Sequence, residues 1–458
     1  MFQRVAIYGL YTVLISILKN SSSRPFTGIL LGLCCATAPA AEFELPSPEI
    51  QFPALDPASV ELGRLLFYDP ILSGNQSVSC ATCHHPRLGT SDGLSLGLGD
   101  GAIGLGPERR IDPDNPPEQR IPRNSPALFN LGARQFRSLF HDGRLELDAN
   151  QPAGIRTPLD SEMVSGFNGV LSAQAMFPVL AADEMAGHYS ENEVAEAVRQ
   201  GRLTHRGGAW EIISARVATI PTYRSAFAQV LGQDRAIRFT DIANSIADFI
   251  AFEWRAVDSR FDSYLRGRGK LSQQAALGME LFYGKSRCAD CHSGLLQTDH
   301  GFHAIAMPQL GPGKAARFET HRRDTGRFRV TGRIEDIYQF RTPSLRNVVL
   351  TAPYGHSGAY STLEQVVRHH LDPVTALRSY QREFAKLPEL PGAADWHIMD
   401  DADEVMAIAA ANQLTPQKLS DDEVEALIAF LQALTDPTSR DGRLGIPAEV
   451  PSGLSVVQ

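Results

Sequence analysis

The hydrophobic positions of the chain follow a helical period in several long segments. Over residues 240–265 apolar side chains recur every three or four residues, which predicts one helix with an apolar face. Near the C-terminus, Ser420 and Glu423 form a capping-box pattern, and apolar residues continue at the helical period up to Leu434. Patterns typical of strands are few. The sequence therefore predicts a mainly α-helical fold with long loops.

One sequence pattern occurs twice along the chain. Residues 62–68 read LGRLLFY and precede CATCH at residues 80–84, while residues 277–283 read LGMELFY and precede CADCH at residues 288–292. The shared pattern, L-G-x-x-L-F-Y followed by C-x-x-C-H, is an internal repeat. Two related helical domains are the simplest explanation.

The repeat divides the chain into predicted parts. Residues 42–266 are expected to form an N-terminal domain and residues 267–440 a C-terminal domain, followed by a tail at 441–458. The Gly- and Pro-rich stretch 93–124 is predicted to be a loop. A loop of that length inside a domain is often functional.

The first 41 residues differ in composition from the rest of the chain. They contain three basic residues, no acidic residue, an apolar run and an A-x-A pattern that ends at Ala40. These features predict a secretory signal peptide over residues 1–41 and therefore an exported, periplasmic protein. The apolar run at 5–18 is short for a membrane span, so no stable span is expected after cleavage.

Composition and charge narrow the classes of partner. The 458-residue chain is 43% hydrophobic and 8% aromatic, as in soluble globular proteins, and its length suits two or three domains. Its formal charge of -9 argues against a nucleic-acid partner. A protein partner is compatible with this charge.

Four cysteines remain after the predicted signal peptide, and a histidine directly follows each C-x-x-C pair. C-x-x-C-H is the pattern for covalent attachment of a c-type haem, whose iron takes the histidine as a ligand. A four-cysteine zinc site and disulfides are the alternatives, but neither needs a histidine after each pair. The predicted attachment and ligand residues are Cys80, Cys83, His84, Cys288, Cys291 and His292.

The second axial ligand decides whether a haem transfers electrons or reacts with a substrate. In the segment 361–371, Ser361 and Glu364 form another capping-box pattern, and helical spacing puts His370 on the apolar face. His369 is offset by about 100° on the helix and is expected to point away from the core. From the pattern alone, His370 is either a hydrogen-bonded core residue or a haem ligand.

Six motifs make the chain similar to a known family. They read CATCHHP, RNSPALFN, FHDGR, CADCHSG, RTPSLRNVVLTAPYGHSG and STLEQVV, in this order between residues 80 and 367, and the resemblance extends over about residues 62–434. In these motifs the chain resembles the bacterial di-haem cytochrome c peroxidase family, and in particular its MauG-like branch. Some relatives linked to copper-chelator (methanobactin) operons look similar as well.

The resemblance implies two cytochrome c-like helical domains, each with one covalent haem. The N-terminal haem would react with hydrogen peroxide, and the C-terminal haem would store or relay electrons. The position of the distal ligand of the C-terminal haem, which is Met or Tyr in relatives, falls on His370. Relatives often carry a distal His before R-N-S-P. This chain has no His between His85 and His141, which implies an open N-terminal haem.

Two departures from the family pattern affect the route of electrons. His141 stands where the family motif F-W-D-G-R has a Trp between the haems, and it is either a bridge or a structural hydrogen-bonding residue. Ser286 stands where MauG has a surface Trp close to its second haem. Trp210, Trp254 and Trp396 are the only tryptophans, and a Trp is more often a core residue than a relay.

The resemblance also implies a distal acid and a calcium ion. Glu162 in TPLDSEM falls where the family has a Glu that moves the protons of peroxide, and Gln151 matches a pocket residue. A surface acid is the alternative for Glu162. Asn124 and the carbonyls of Thr342 and Pro343 match the ligands of a calcium ion between the domains. Asn124 is otherwise a turn residue before Ser-Pro.

The motifs and the resemblance together predict an oxidoreductase. The preferred function is a MauG-like di-haem enzyme that uses hydrogen peroxide to form a high-valent di-haem state and oxidises Trp or Tyr residues of a periplasmic partner protein. One alternative is a di-haem peroxidase that reduces peroxide with electrons from a small cytochrome or copper protein. The other is a non-catalytic electron carrier, against which the open N-terminal haem argues.

Overall fold

The computed structural model describes residues 44–47, 49–233, 235–314, 319 and 321–458. The predicted signal peptide at 1–41 lies outside these ranges. Helices, with 3-10 turns included, account for 39% of the described residues, and the strands within the described ranges are only two or three residues long. The regular structure is therefore helical, and long irregular segments connect it.

No helix within these ranges combines the length and the apolar character that crossing a membrane requires.

The described helices and strands alternate with irregular segments and form no large sheet. The helices are α1 Pro57–Tyr68, α2 Cys80–Cys83, α3 Val170–Ala175, α4 Glu193–Arg199, α5 Ala209–Ala218, α6 Pro221–Leu231, α7 Phe239–Glu253, α8 Arg260–Leu265, α9 Gln273–Tyr283, α10 Phe328–Thr331, α11 Leu363–Leu371, α12 Pro373–Arg378, α13 Ala402–Ala410, α14 Asp421–Ala433 and α15 Pro437–Asp441. The strands are β1 Ala102–Ile103, β2 Arg110–Ile111, β3 Ser138–Leu139, β4 Leu145–Leu147, β5 Ile155–Arg156, β6 Phe302–His303 and β7 Phe340–Arg341. The antiparallel pairs are β1 with β2, β4 with both β3 and β5, and β6 with β7.

The single helix predicted over residues 240–265 is two helices in the structure, so that prediction is wrong. α7 ends where the Trp254 N–H donates to the Ile250 carbonyl. α8 begins after Ser259, whose hydroxyl accepts from the Asp262 N–H. The apolar period runs through the break because each helix buries residues at a compatible spacing, and periodicity alone does not reveal such a break.

The helix predicted to begin at Ser420 is confirmed as α14. The Ser420 hydroxyl accepts from the Glu423 N–H, and the Glu423 carboxylate accepts from the Ser420 N–H at 2.9 Å. Val424, Leu427 and Leu431 are buried, as the apolar period requires.

The repeated L-G-x-x-L-F-Y pattern forms α1 and α9, and its glycine lets each helix cross a partner closely. A Cβ on Gly63 would overlap the main-chain carbonyl of Ser245 in α7. A Cβ on Gly278 would overlap the carbonyl of Ala426 in α14 in the same way. The two halves of the chain therefore contain the same helix crossing, built on the same residue of the repeat.

The phenylalanine of the pattern also has the same role in both halves. Phe67 packs on Phe249 of α7, with ring centroids 5.3 Å apart. Phe282 packs on Phe430 of α14, with ring centroids 5.1 Å apart. These aromatic pairs lie beside the glycine contacts and bury the crossing.

A second repeat, P-x-L-x-N, holds the chain where it leaves α7 and α14. Asn130 and Asn347 both have a left-handed backbone, with φ of 61° and 58°. The Asn130 amide donates to the Ala256 carbonyl and accepts from the Ala256 N–H. The Asn347 amide accepts from the Asp436 N–H and donates to the Ser439 hydroxyl. Each half therefore has a helix pair, and an asparagine holds the chain where it leaves the second helix of that pair.

The buried apolar residues of the described ranges form two large clusters and a small one. The first large cluster surrounds α1 and α7, and the second surrounds α9 and α14. The segment predicted to be a tail, 441–458, lies against the first cluster. Val450 is buried there, and the Ser452 hydroxyl donates to the Asp69 carboxylate at 2.7 Å.

A buried ion-pair group joins residues that are far apart in the sequence. The Arg123 guanidinium lies 2.6 Å from the Asp324 carboxylate and 2.7 Å from the Asp142 carboxylate. Burial by itself would raise the pKa of the Asp324 carboxyl, but Arg123 lowers it to about 2. The R-N-S-P and F-H-D-G-R motifs are thus held together at one buried point.

The substitution Gly278→Ala tests the close helix crossing. The added methyl group would push α9 away from α14, and we expect the free energy of unfolding to fall by about 2 kcal/mol. Gly169→Ala is the control, because its backbone is extended and a Cβ there meets no atom within 4 Å. Denaturant unfolding measures both variants, and equal stability of the two would contradict the close crossing.

Candidate haem-binding site

The first C-x-x-C-H motif occupies α2 and the residue that follows it. The His84 N–H donates to the Cys80 carbonyl at 3.0 Å, so the motif completes one helical turn. The Ser125 hydroxyl, from R-N-S-P, donates to the Cys83 carbonyl at 2.7 Å. These bonds fix the turn that carries the two thiols and the imidazole of the motif.

The second C-x-x-C-H motif has the same local arrangement on a 3-10 turn, Cys288–Asp290. The His292 N–H donates to the Cys288 carbonyl at 2.9 Å. The Asp299 N–H donates to the Cys291 carbonyl at 2.7 Å and ties the motif to the following segment. The repeat in the sequence is therefore a repeat in the geometry.

Main-chain carbonyls orient the histidine of each motif. Nδ1 of His84 donates to the Thr90 carbonyl, and Nδ1 of His292 donates to the Gln297 carbonyl, each at 3.0 Å. A carbonyl only accepts, so the proton is on Nδ1 and Nε2 is free for a metal. Burial lowers the pKa of both imidazoles, that of His292 to about 4. Both rings are therefore neutral at neutral pH, the form that binds a metal.

His370 of α11 faces His292. The ring centroids are 6.4 Å apart and the ring planes are inclined by 56°. Nδ1 of His370 donates to the Val366 carbonyl at 2.7 Å, so its Nε2 is free as well. A metal about 2 Å from each nitrogen requires ring centres about 6 Å apart, which agrees with the observed separation. The two imidazoles are therefore spaced so that both could hold one metal ion between them, and their role as haem ligands stays a prediction.

His369 is buried, so the prediction that it points away from the core is wrong. Its side chain is 1% exposed. The Tyr360 hydroxyl donates to its Nδ1 at 2.8 Å, and its Nε2 donates to the Ile305 carbonyl at 2.8 Å. The cap of α11 is also one residue later than predicted, with Thr362 and Gln365 as the capping box. Helical spacing predicts that the two histidines point in different directions. It does not predict that other segments of the chain cover both the His369 face and the His370 face of α11.

The alternative interpretations of the cysteines do not fit this arrangement. None of the four cysteines in the described ranges takes part in a disulfide. Within the described part of the chain, one group of three His, Cys, Asp or Glu side chains lies within ligand distance, and it consists of Cys291, Asp299 and His303. The two cysteine pairs therefore do not converge on a four-cysteine zinc site.

His141 lies beside the buried ion-pair group. Its Nε2 donates to the Asn124 carbonyl at 3.1 Å, and its own carbonyl accepts from the Arg341 N–H at 2.7 Å. Burial and then the charge of Arg123 lower the pKa of His141 to about 4, so the ring is neutral at neutral pH. The placement suits a structural His and a bridge alike, and the bridging role stays a prediction.

Glu162 and Gln151 both lie in the irregular segment around β5. Glu162 closes a 3-10 turn, Asp160–Glu162, and its side chain is exposed. Gln151 is half-buried, and its N–H donates to the Asp148 carbonyl at 3.0 Å. The roles assigned to both residues stay predictions.

The predicted calcium ligands are divided between two segments. Asn124 is buried, whereas Pro343 is exposed. The Thr342 carbonyl accepts from the Thr298 hydroxyl at 2.7 Å and from the Arg341 guanidinium at 3.2 Å. A calcium ion at this carbonyl would share its oxygen with a second cation. Calcium binding stays a prediction.

Arg341 is a residue of this region that the sequence analysis missed. Its guanidinium donates to the Thr342 carbonyl and lies 5.8 Å from the centre of the Phe136 ring. Burial lowers its pKa to about 10, so it keeps its charge at neutral pH. A cation held by carbonyls and a ring is suited to the carboxylate of a haem propionate. Its position as the first residue of the R-T-P-S-L-R-N motif is the sequence feature that could have identified it.

Separate substitutions of the two histidines of α11 distinguish a ligand from a support. His370→Ala removes the nitrogen opposite His292, and we expect the low-spin EPR signal of that haem to be lost. His369→Ala removes two buried hydrogen bonds. We expect the low-spin signal to remain while the free energy of unfolding falls by about 1–3 kcal/mol. EPR and thermal unfolding of the haem-loaded protein measure both effects, and the reverse pattern would make His369 the ligand.

Known proteins match most of the chain at moderate identity. Residues 57–270 match the family model described as di-haem cytochrome c peroxidase. Methylamine utilization protein MauG of Methylorubrum extorquens is 29% identical over 356 residues, which cover 74% of this chain and 79% of that protein. Cytochrome c551 peroxidase of Nitrosomonas europaea is 29% identical over 359 residues, which cover 78% of this chain and 83% of that protein. Cytochrome c peroxidase Ccp of Escherichia coli is 30% identical over 342 residues, which cover 72% of this chain and 57% of that protein.

Solved structures share the architecture. A MauG-like protein associated with microbial copper homeostasis matches with a TM-score of 0.56 at 25% identity, covering 87% of this chain and 94% of that chain. The diheme peroxidase BthA of Burkholderia thailandensis matches with a TM-score of 0.54 at 21% identity, and the match covers 92% of this chain and 100% of that chain. At that identity the match shows a likeness of fold alone. These matches show that residues 57–270 of the chain belong to the di-haem cytochrome c peroxidase family of oxidoreductases, and the rest of the chain is similar to proteins of that family.

Proposed function

We propose that the protein is a MauG-like di-haem enzyme, which uses hydrogen peroxide to oxidise Trp or Tyr residues of a partner protein. The observation that carries the proposal is the facing pair of His292 and His370, with ring centroids 6.4 Å apart. Both histidines would hold the haem iron at the C-terminal site and leave no place for peroxide there. When bound, the two haems supply the reaction with peroxide and hold the resulting oxidising equivalents.

Each half of the repeat is proposed to bind one of these haems covalently. Cys80 and Cys83 would attach the first haem, and Cys288 and Cys291 the second. The shared helix crossing and the shared turn at each motif support two equivalent attachment sites. The boundary between the two domains is proposed near residue 267, after α8.

The N-terminal site is proposed to be the peroxide site. In the described ranges, no second histidine ring faces His84 as His370 faces His292. The Thr90 carbonyl holds Nδ1 of His84, which leaves the other nitrogen for the metal and the far side of the site for peroxide. Glu162 would take a proton from peroxide and return it to the leaving oxygen, with Gln151 as a second polar pocket residue.

His141 is proposed to connect the two sites. It hydrogen-bonds the Asn124 carbonyl through Nε2, and its main chain accepts from Arg341, which begins the R-T-P-S-L-R-N motif. These bonds link the segment beside the first site to the segment beside the second. A neutral imidazole here would provide a bonded path for electrons in place of the family Trp.

A peroxidase that reduces hydrogen peroxide with electrons from a small donor protein is the second candidate. The similarity to named cytochrome c peroxidases, at 29% and 30% identity, is as high as the similarity to MauG at 29%. The MauG-like copper-homeostasis structure at 25% identity and the predicted open N-terminal haem favour the first candidate. Both candidates draw electrons from a protein partner.

The partner is proposed to be met outside the cytoplasm. The signal-peptide pattern over residues 1–41 supports export to the periplasm. A calcium ion held by Asn124 with the carbonyls of Thr342 and Pro343 is proposed as a structural ion close to His141.

The spectra of the ferric holoprotein test the open N-terminal site. We expect one high-spin and one low-spin haem by EPR, because among the described residues two histidines face each other at the second site and not at the first. Peroxide added without a reductant should then give a long-lived oxidised optical spectrum. Two low-spin haems would contradict the proposal. A rapid return to the ferric spectrum only when a reduced donor protein is present would favour the peroxidase.

The substitution Glu162→Gln tests the proposed distal acid. Loss of a positioned proton acceptor should slow the reaction with peroxide by about 10²–10⁴-fold in stopped-flow measurements. Asp160→Asn is the matched control, since Asp160 is an exposed acid in the same turn and Asn tolerates its left-handed backbone. Equal rates for the two variants would rule out a special role for Glu162.

A further inference from the structure

A series of aromatic rings leads away from the C-terminal site. The ring of His370 lies 6.0 Å from that of His369, whose centroid is 5.1 Å from that of Tyr360. The Tyr360 hydroxyl also donates to Nδ1 of His369 at 2.8 Å. His369 and Tyr360 are both buried. The first contacts beyond the proposed iron ligand are therefore closely spaced and shielded from water.

The series continues to the surface. The centroid of Tyr360 is 5.6 Å from that of Tyr380, and the centroid of Tyr380 is 6.4 Å from that of Trp396. Tyr360 is 2% exposed, whereas Tyr380 and Trp396 are half-buried. Trp396 is thus the point at which these rings reach solvent.

The segment that carries Trp396 is firmly held. Arg120, from the long Gly- and Pro-rich loop, donates to both carboxylate oxygens of the neighbouring Asp395, at 2.8 and 3.0 Å. The Arg382 guanidinium lies 5.0 Å from the centre of the indole ring and pairs with Asp400. A cation over a ring makes loss of an electron from that ring harder. An oxidised Trp396 would therefore readily take an electron from another group rather than trap the oxidising equivalent.

The other candidate residues lack an exit to the surface. Trp210 is 4% exposed and Trp254 is fully buried, with Phe67 packed on its ring. Ser286, at the position of the MauG surface Trp, is buried and has no aromatic ring to offer. Trp396 is the tryptophan that combines ring contacts toward His370 with contact to solvent.

We propose that His369, Tyr360, Tyr380 and Trp396 form an electron relay between the His292–His370 site and the partner protein, with Trp396 as the contact residue. The inference rests on the proposed function, because it needs the oxidising equivalents that peroxide supplies. The partner it fits is a protein that presents an oxidisable Trp or Tyr side chain at its surface.

The electrons and protons of the relay balance. Hydrogen peroxide takes up two electrons and two protons and yields two water molecules. Trp or Tyr residues of the partner supply the electrons one at a time, and each oxidation releases one proton to solvent, so two protons are released for the two that peroxide takes up. Trp396 first gives one electron inward to the relay, and the partner then replaces that electron. An indole ring can lose an electron and keep its N–H proton through such a step. Trp396 therefore needs no proton acceptor.

The two tyrosines differ in what they can do with a proton. An oxidised tyrosine releases its hydroxyl proton, and Tyr360 can pass that proton to Nδ1 of His369 along the 2.8 Å hydrogen bond and regain it on reduction. The Tyr380 hydroxyl donates to the Ala359 carbonyl at 2.6 Å, and a carbonyl takes no proton. Tyr360 is therefore a residue that is transiently oxidised, whereas Tyr380 is a bridging ring.

The test uses the holoprotein with both haems, treated with hydrogen peroxide in the absence of reductant and partner. Oxidising equivalents that find no partner should reach the exposed end of the relay. We expect oxygen addition at Trp396 to be the main Trp modification in peptide mass spectrometry. Freeze-quench EPR should show a Trp or Tyr radical. In Trp396→Phe we expect the Trp radical signal to be lost, while the haem spectrum still responds to peroxide.

Matched variants separate the relay from general damage. Trp210→Phe removes a buried Trp outside the relay and should keep both the modification and the radical. Tyr360→Phe removes the hydroxyl that shares its proton with His369 and should lose both. Tyr380→Phe makes the same chemical change but keeps the bridging ring, and it should keep both.

The outcomes distinguish the relay from the proposed function. If the haem spectrum of the unaltered protein does not respond to peroxide, the proposed function and the relay are both overturned. If the spectrum responds but Trp396 stays unmodified, or if Trp396→Phe and Trp210→Phe behave alike, the relay alone is overturned. Equal effects of Tyr360→Phe and Tyr380→Phe would remove the proton-coupled role of Tyr360.

Discussion

The orientation of three imidazole rings by main-chain carbonyls is the constraint on which the haem sites depend. Each ring donates from Nδ1, His84 to Thr90, His292 to Gln297 and His370 to Val366. An imidazole has only two nitrogens, so a carbonyl on one leaves the other as the single free donor atom. The direction of that atom is then set by the backbone of a turn or helix. The sites are therefore as rigid as the segments that carry the carbonyls.

The rigidity of those segments comes from the duplicated scaffold. Gly63 and Gly278 permit the same close crossing, and Asn130 and Asn347 fix the exits of the helices that are crossed. Two copies of the same scaffold do not by themselves produce two sites with different chemistry. The difference comes from what faces each motif histidine, because α11 brings His370 to the second site alone among the described contacts. The proposed division into a peroxide site and a storage site follows from that one added helix.

Sequence reasoning succeeded where residue types and their spacing determine the local structure. The repeated pattern predicted the two equivalent helices and turns, and the capping box at Ser420 predicted the start of α14. It failed where distant segments decide the outcome. The break after α7 depends partly on Asn130, more than a hundred residues earlier, and the burial of His369 depends on Tyr360 and the Ile305 carbonyl. Periodicity describes one face of a helix, but it does not say how many faces the rest of the chain covers.

The burial of His369 changes how the histidine pair of α11 should be understood. Adjacent residues of a helix point about 100° apart, so one turn can direct one ring at a metal site and the next ring at a different neighbour. Here the second ring accepts a hydrogen bond from the Tyr360 hydroxyl, so one turn carries both the proposed ligand and the proposed proton acceptor. Oxidation of Tyr360 requires both an electron sink and a proton acceptor within hydrogen-bond reach. α11 supplies the first through His370 and the second through His369, which is why the proposed electron route begins at this helix rather than at Ser286.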